Sequence, residues 1–452
     1  MSLTKADFHR ELFLEHLEEA SFLYSSRLAW RDDRELSWVD TLDLESRLDA
    51  HIEALIDGEE EAKTLCLSRI KGADVGELYA LTSYLCKLQD GAALTGLWRT
   101  LIDILDYPPE EEEDEADQDA IDKIISVAEA LRVYYPMAWR QRAAALLESE
   151  HQKLFPIVAP AIAQAGGISR QGAENLLSTS GPELLPRAIR IVADNGDAGH
   201  VALLHPYLQH ENDEVVEAAG IALLRLGQRQ VVTSVNGKTA ALAIPIALAG
   251  VRKQTAQLQQ LVRDGQVSST ILIALGLAGD LTSVNLLLRE LGDKPFAPDA
   301  ALALELMLGA ALYQETFVPE QFAKEDLFEH ELEAFQEGKS PQHPEGREFG
   351  VTVDQLCQEP AQWREWLVQN ESRFDPSLRY RGGQPYSAQA VWSGLCHRRT
   401  PPQVRQWLMD ELGIQFGLRH KLNINDPVLR QSKQLRDLSG WVREQSVAPT
   451  WA

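Results

Sequence analysis

Apolar residues recur along most of the chain at three- and four-residue intervals, the spacing that gathers them on one side of an α-helix. In "LDLESRLDAHIEALIDGEEEAKTLCLSRI", Leu44, Leu48, Ile52 and Leu55 follow this period and predict a long amphipathic helix, after an earlier one in "FLEHLEEASFLYSSRLAW". Shorter helical stretches follow in "ELYALTSYLCKLQ" and "ALTGLWRTLIDIL", and beyond residue 119 in "AIDKIISVAEALRVYY", "MAWRQRAAALLES", "FPIVAPAIAQAG" and "AENLLSTSG". Strand-like alternation is nearly absent, with "RQVVTSVNG" the one short candidate.

The pattern also repeats. "NGDAGHVALLHPYL" (195–208) aligns with "AGDLTSVNLLLREL" (278–291), so that Gly196-Asp197 lies over Gly279-Asp280 and Leu203-Leu204 over Leu286-Leu287. The helix that follows, "NDEVVEAAGIALLRLGQ" (212–228), aligns with "DAALALELMLG", with Ala218-Ala219 over Ala300-Ala301 and Gly227 over Gly309. A third relative, "SSTILIALGLAGD" (268–280), ends in the same leucine-glycine fashion. Two units of about 40 residues account for the offset, which is the period of HEAT and armadillo hairpins. Small residues at 218, 219 and 222 allow close backbone approach, Asn212 or Asp213 suits an N-cap, and Gly227 suits a left-handed C-cap.

At 452 residues the chain exceeds one compact core, and its net charge of −25 disfavours nucleic acid and anionic membranes while suiting a basic partner. The charge is uneven. From Pro360 onward there are 13 Lys+Arg against 8 Asp+Glu, and six of the ten tryptophans (Trp363, Trp366, Trp392, Trp407, Trp441 and Trp451) fall in that stretch. "DYPPEEEEDEADQD" reads as a solvated linker, because like charges so dense repel and cannot bury. "EDLFEHELEAFQEGKSPQHPEGREFG" reads as a polar, exposed linker. Four scattered cysteines suit a reducing compartment, the N-terminus lacks a signal peptide's apolar core, and the longest apolar run is too short for a bilayer, so a cytoplasmic protein is expected.

The predicted architecture is all-α: a HEAT/armadillo-like α-solenoid with an N-terminal helical bundle and a C-terminal Trp-rich helical subdomain. Its expected divisions are an N-terminal helical region over 1–105, an acidic linker over 106–118, the repeat solenoid over 119–312, a polar linker over 313–350 and the C-terminal subdomain over 351–452.

"HLEEASFLYSSRLAW…LDLESRLDAHIEAL" and "WREWLVQN…RFDPSLRYRGGQPYS…RQWLMDELGIQFGL" together resemble a family of bacterial HEAT-repeat proteins of unknown activity, often encoded among type VI secretion genes. The resemblance runs along nearly the whole chain and is most specific at "HLEEA" and "RYRGGQPYS"; the acidic run is atypical of it. It brings no catalytic residues. It implies a cytoplasmic protein that binds another protein, either an effector or a spike or adaptor component of the secretion system.

Chemistry-bearing motifs are sparse. His200, His205 and His210 recur every five residues and so spread round a helix, and "HLEEA" has Ala20 where a zinc-protease helix needs its second histidine. Cys66 and Cys86 lie on apolar faces, and Cys396 and His397 are neighbours whose side chains diverge. No nucleophile elbow, P-loop or dinucleotide fingerprint occurs. No catalytic, cofactor or metal site is therefore expected. The candidate protein-binding residues are Arg379, Tyr380, Arg381 and Tyr386 in "RYRGGQPYS", since Arg and Tyr are enriched at interaction hot spots. The competing reading has Tyr380 packed in the subdomain core and an arginine paired with an acid such as Asp375, with Trp363 and Trp366 also in the core. The expected function is non-catalytic binding of a type VI effector as adaptor, chaperone or immunity protein. The alternatives are a general HEAT-repeat assembly scaffold unrelated to secretion and an enzyme with an unrecognised site.

Overall fold

Thr4 opens the first helix. Its hydroxyl accepts from the Asp7 amide (3.1 Å) while the Asp7 carboxylate accepts from the Thr4 amide (3.0 Å), a reciprocal cap that satisfies two otherwise orphaned donors. The structure, a computed structural model, describes the chain except for residues 1–3, 34–35, most of 91–112, nearly all of 137–166, 234–236, most of 321–340, 344, 420–421 and 446–452. The described chain is almost entirely helical and contains no closed or curled sheet. It divides into two compact units, one formed by Met1–Gly265 with Tyr386–Ala452 and the other by Gln266–Pro385, so the second is inserted in the sequence of the first.

The first unit begins with α1 (Lys5–Asp32), α2 (Leu42–Asp57), α3 (Glu59–Arg69), α4 (Val75–Leu88) and α5 (Glu113–Tyr134). Leu17, Leu23 and Tyr24 of α1, Leu48, Ile52 and Leu55 of α2, Leu78 and Leu81 of α4 and Val127 and Leu131 of α5 share one core. Each fully buried leucine there contributes about 1.5–3 kcal/mol. The continuous helix expected over 42–70 is broken at Gly58. A β-carbon at Gly58 would fall 2.5 Å from the Phe13 ring, and Glu59 takes a left-handed φ of 47°, so packing against α1 forces the bend. The acidic stretch expected as a linker lies outside the described residues as far as 112, and from Glu113 its backbone is already helical. The helices expected in "ALTGLWRTLIDIL", "MAWRQRAAALLES" and "FPIVAPAIAQAG" also fall outside, apart from isolated positions.

Shorter helices follow: α6 (Arg170–Thr179), α7 (Leu185–Asn195), α8 (Val201–Leu204), α9 (Asp213–Arg225), α10 (Ala243–Ala249) and α11 (Arg252–Arg263). The second unit repeats part of this order in α12 (Ser269–Ala278), α13 (Val284–Glu290) and α14 (Ala297–Leu308). The correspondence is close. Asp197 accepts from the Gly199 amide (2.8 Å) and opens a 3-10 turn at 198–200, as Asp280 accepts from Thr282 (3.1 Å) and opens one at 281–283. The helices α8 and α13 begin at Val201 and Val284, and the helix after each ends near a left-handed glycine, Gly227 (φ 86°) or Gly309 (φ 57°). As expected, Asn212 caps α9, its side-chain oxygen accepting from the Glu214 amide (2.8 Å).

Helix pairs within each unit meet through small residues. A β-carbon on Gly220 of α9 would lie 2.7 Å from Leu242, and one on Gly276 of α12 would lie 2.5 Å from the Ala303 backbone of α14. Ala219 and Ala222 are buried beside Gly220.

The short strand expected in "RQVVTSVNG" is instead a 3-10 turn over Arg229–Val232, with consecutive Val231 and Val232 both buried, which an alternating strand cannot do. β structure lies where a polar linker was expected. Strands β1 (Tyr313–Pro319) and β2 (Gly350–Leu356) pair antiparallel, Tyr313 opposite Leu356 and Pro319 opposite Gly350. Both faces of this ribbon are partly exposed, Phe317 and Val351 included, so its sequence carries little apolar contrast. The second unit ends with α15 (Pro360–Asn370) and a two-residue hairpin, β3 (Tyr380–Arg381) and β4 (Gln384–Pro385). The chain then returns to the first unit as α16 (Ala388–Cys396), α17 (Pro402–Phe416) and α18 (Val428–Glu444), where α17 packs on α9, α10 and α16. Among the described residues, no helix is long and apolar enough to cross a membrane.

Gly276→Ala should lower the unfolding free energy by about 1–3 kcal/mol, because the added methyl meets backbone and the helices must part. Gly440→Ala, on the open side of α18 with nothing within 4 Å, should raise it by about 0.5–1 kcal/mol. Urea denaturation of the two variants checks the opposite signs.

Candidate functional site

The residues chosen from sequence as a binding loop are all buried: Arg379 6%, Tyr380 1%, Arg381 1% and Tyr386 4% exposed. The physical reason is helix termination. An α-helix leaves its last carbonyls without partners, and the β3–β4 hairpin supplies donors to the ends of both α12 and α14. The Arg379 Nε donates to the Ala278 carbonyl (2.7 Å) and Nη2 to Leu277 (3.2 Å). The Arg381 Nη1 donates to Gly276 (3.2 Å) and Nη2 to Leu277. Backbone amides complete the set: Tyr380 to Gly279 (3.0 Å), Gly382 to Leu306 (2.8 Å) and Gly383 to Met307 (3.0 Å). The two guanidinium groups thus meet the negative end of the α12 dipole, where cations are favoured.

Glycines are required on both sides of this contact. Gly382 and Gly383 take φ of 55° and 71° to turn the hairpin, and a β-carbon on Gly279 would lie 2.1 Å from the Tyr380 carbonyl oxygen. The Tyr380 hydroxyl accepts from the Asp375 amide (2.7 Å), and both arginines donate to helix-end carbonyls, where the competing reading paired an arginine with an acid such as Asp375. Tyr386 belongs to the first unit and donates to Glu411 (2.8 Å). The four residues therefore do not present the exposed surface expected of them. Trp363 is fully buried, its indole donating to the Cys357 carbonyl (2.7 Å), and Trp366 lies half-buried beside Phe374 and Arg373.

The other sequence candidates remain dispersed. His200 is buried against Asp197 and His205 is exposed, and no group of three or more potential metal ligands occurs among the described residues. Burial pushes the thiols of Cys66 and Cys86 up to about 12 and that of Cys396 up to about 11, so each is a poor nucleophile near neutrality.

Two features of the first unit were missed from sequence. One is the outer face of α1. Phe8, Phe22 and Trp30 are 56%, 64% and 40% exposed. At 100° per residue they fall within one arc of about 80°, opposite the core-facing Leu17, and span about 33 Å of helix. Glu15 and Glu19 fall in the same arc. The signal was available: three aromatics on the polar side of an amphipathic helix are out of place.

The other is a crevice lined by Arg27, Arg31, Trp38, Thr41 and Glu45 from the N-terminal helices and by Pro402, Arg405, Ile424 and Gln431 from the returning segment. Glu45 accepts from Arg27 Nε (2.7 Å) and from the Val428 amide (2.7 Å), and Arg27 Nη2 donates to the Asn425 carbonyl (2.9 Å). Close by, Asp426 pairs with Arg132 and Arg430. Arg405 differs from these. It is fully buried with its guanidinium 4.0 Å over the Trp38 ring, and among the described residues its Nε alone has a hydrogen-bond partner, the Leu395 carbonyl (3.0 Å). Burial lowers its pKa to about 9.

Ion pairs also join α7 and α9 to α17. Asp410 accepts from Arg190 (2.8 Å) and Arg225 (3.0 Å), and Arg225 also pairs with Asp194. Beside it the half-buried Glu217 accepts from the Trp407 indole (3.2 Å). Burial pushes this carboxyl up to about 7, with Glu214 and Asp410 adding to the effect and Trp407 and Arg190 opposing it.

Comparison of the chain with protein-family models, with curated proteins and with solved structures returned no match.

Replacing Arg381 by glutamate sets a carboxylate against the Gly276 and Leu277 carbonyls, so Arg381→Glu should cost about 3 kcal/mol or more of stability. An unchanged denaturation midpoint would return this loop to the surface. Glu217 keeps its proton up to about pH 7 when folded but releases it near 4.5 when unfolded, so its favourable contribution is complete below 4.5 and is lost as pH rises through 7. Glu217→Gln should therefore melt within about a degree of the parent at pH 4.5 and several degrees higher at pH 8; an identical difference at both pH values would refute the assignment.

Proposed function

We propose that the protein is a non-catalytic, HEAT-like helical-repeat scaffold that binds a protein partner in the setting of type VI secretion, as adaptor or chaperone for an effector or as its immunity protein. The observation that carries this reading is the recurrence, 83 residues apart, of the same sequence of elements: helix, Gly-Asp turn, 3-10 turn, short helix, longer helix and left-handed glycine. Repeats of this kind bury one another and offer helix surfaces to partners. The secretion setting rests on the resemblance of the "HLEEA" and "RYRGGQPYS" segments.

The outer face of α1 is the best-supported docking surface. Exposed aromatics spaced along a helix suit the apolar stripe of another helix, and the interleaved Glu15 and Glu19, on a chain of net charge −25, select a basic one. The partner we expect there is an effector or spike-associated protein carrying a basic amphipathic helix.

Affinity capture from cells producing the secretion apparatus tests this. The parent protein should retain an effector, spike or adaptor component, and Phe22→Glu should lower its recovery about tenfold with an unchanged melting temperature, since Phe22 is 64% exposed. Failure to recover any secretion component would end the proposal, and equal recovery by Phe22→Glu would move the interface off α1. Deletion of the gene separates the two roles: self-intoxication marks an immunity protein, and loss of secretion without toxicity marks an adaptor.

A further inference from the structure

We infer that the crevice lined by Trp38 and Arg405, at the edge of their stacked contact, is a binding site for one small monovalent anion, a chloride ion or the carboxylate of a molecule no larger than formate. The argument begins with donors. The Arg405 Nη1 and Nη2 and the Trp38 Nε1 are buried and have no hydrogen-bond partner among the described residues. Guanidinium and indole nitrogens can only donate, so three unused donor nitrogens belong to two residues that line the crevice, which calls for an acceptor there. Leaving a buried charged donor unmatched is among the costlier defects a fold can carry.

Charge separates an anion from a water. Three guanidinium groups and one carboxylate lie on the wall. The carboxylate, Glu45, already holds Arg27 and the Val428 amide, and Arg31 leans towards Glu129 (3.6 Å). Among the described residues no carboxylate stands against Arg405: burial depresses its pKa, and Cys396 acts in the opposite sense. A water could accept from Arg405 and Trp38 and donate to the unpartnered Gln431 Oε1, but it would leave the positive charge uncompensated. An anion supplies both the acceptor and the charge.

Size sets the ligand class. The free space is about 10 Å³, roughly what a single water needs. Phosphate, sulfate or a nucleotide would have to force the walls apart, whereas a halide or a one-carbon carboxylate demands the least displacement of them. The site is thus a positive hole in a strongly acidic protein, closed by the Trp38 ring on one side and by α18 through Gln431 on another.

The experiment is thermal unfolding of the full chain at fixed ionic strength, replacing gluconate stepwise by chloride or by formate. Gluconate is too bulky to enter. The melting temperature should rise by a few degrees as either small anion reaches about 0.2 M, following the logarithmic dependence of a ligand that binds only the folded state. Chloride and formate run as separate arms tell the two sources apart. Arg405→Met should abolish the dependence, and Trp38→Phe, which keeps the ring and removes the N–H, should weaken the apparent affinity several-fold. If Arg405→Met does not fold, Trp38→Phe and a bromide-soaked crystal still decide the matter, the crystal by an anomalous peak in the crevice beside the stacked Arg405 and Trp38. Equal melting in gluconate, chloride and formate, or an unaltered anion dependence in Arg405→Met, would overturn the inference.

Discussion

Every helix that ends inside a protein must find donors for its last carbonyls, and much of this architecture is an answer to that constraint. In α9 the answer is local: Gly227 turns left-handed and the Gln228 amide reaches back to the Leu223 carbonyl (2.9 Å). In α12 and α14 it comes from a distance. There the glycines at 279 and 309 clear space for a hairpin whose amides and two arginines take up carbonyls of both helices. Equivalent helices in the repeated unit thus end in different ways, and the second way fixes residues 379–383 to the helix pair at 276–309.

Much of this could be read from the chain alone, and the failures have physical reasons. The three-to-four spacing located α1 and α2, because amphipathic helices write their buried face directly into the sequence, and the repeated pattern located α9 and α12. The Gly-Asp turns exposed the repeat, since a capping aspartate after a left-handed or extended glycine is a local device. The hairpin was misjudged for the opposite reason. Arg379 and Arg381 are buried only because carbonyls a hundred residues earlier receive them, and no local pattern reports that. The β1–β2 ribbon escaped notice because both of its faces are partly wet, and the break at Gly58 because Phe13, far off in sequence, dictates it.

The buried charges tell a related story. Arg27 with Glu45, Arg132 with Asp426, and Arg190 and Arg225 with Asp410 are ion pairs almost wholly removed from water or anchored on a buried carboxylate. Such pairs contribute modestly to net stability, yet losing one partner is expensive, so they act as locks on register between elements. Among the described residues no acid pairs with the buried Arg405, and this is legible in three dimensions alone, because in sequence the basic C-terminal stretch is a mild excess spread over many turns.

The interruption of the first unit by the second has a consequence for the order in which the molecule can be built. Arg132 leaves the ribosome nearly three hundred residues before Asp426, and Arg27 about four hundred before the Asn425 carbonyl that receives it. Closing such loops is entropically slow: Arg132 in α5 must wait for Asp426, whereas Arg27 has Glu45 close by in sequence and gains the Asn425 carbonyl only later. A nascent chain of this design is therefore exposed to chaperones and proteases while the residues between α5 and α16 are being made, and the returning helices α16 to α18 act as the latch that ends that vulnerability.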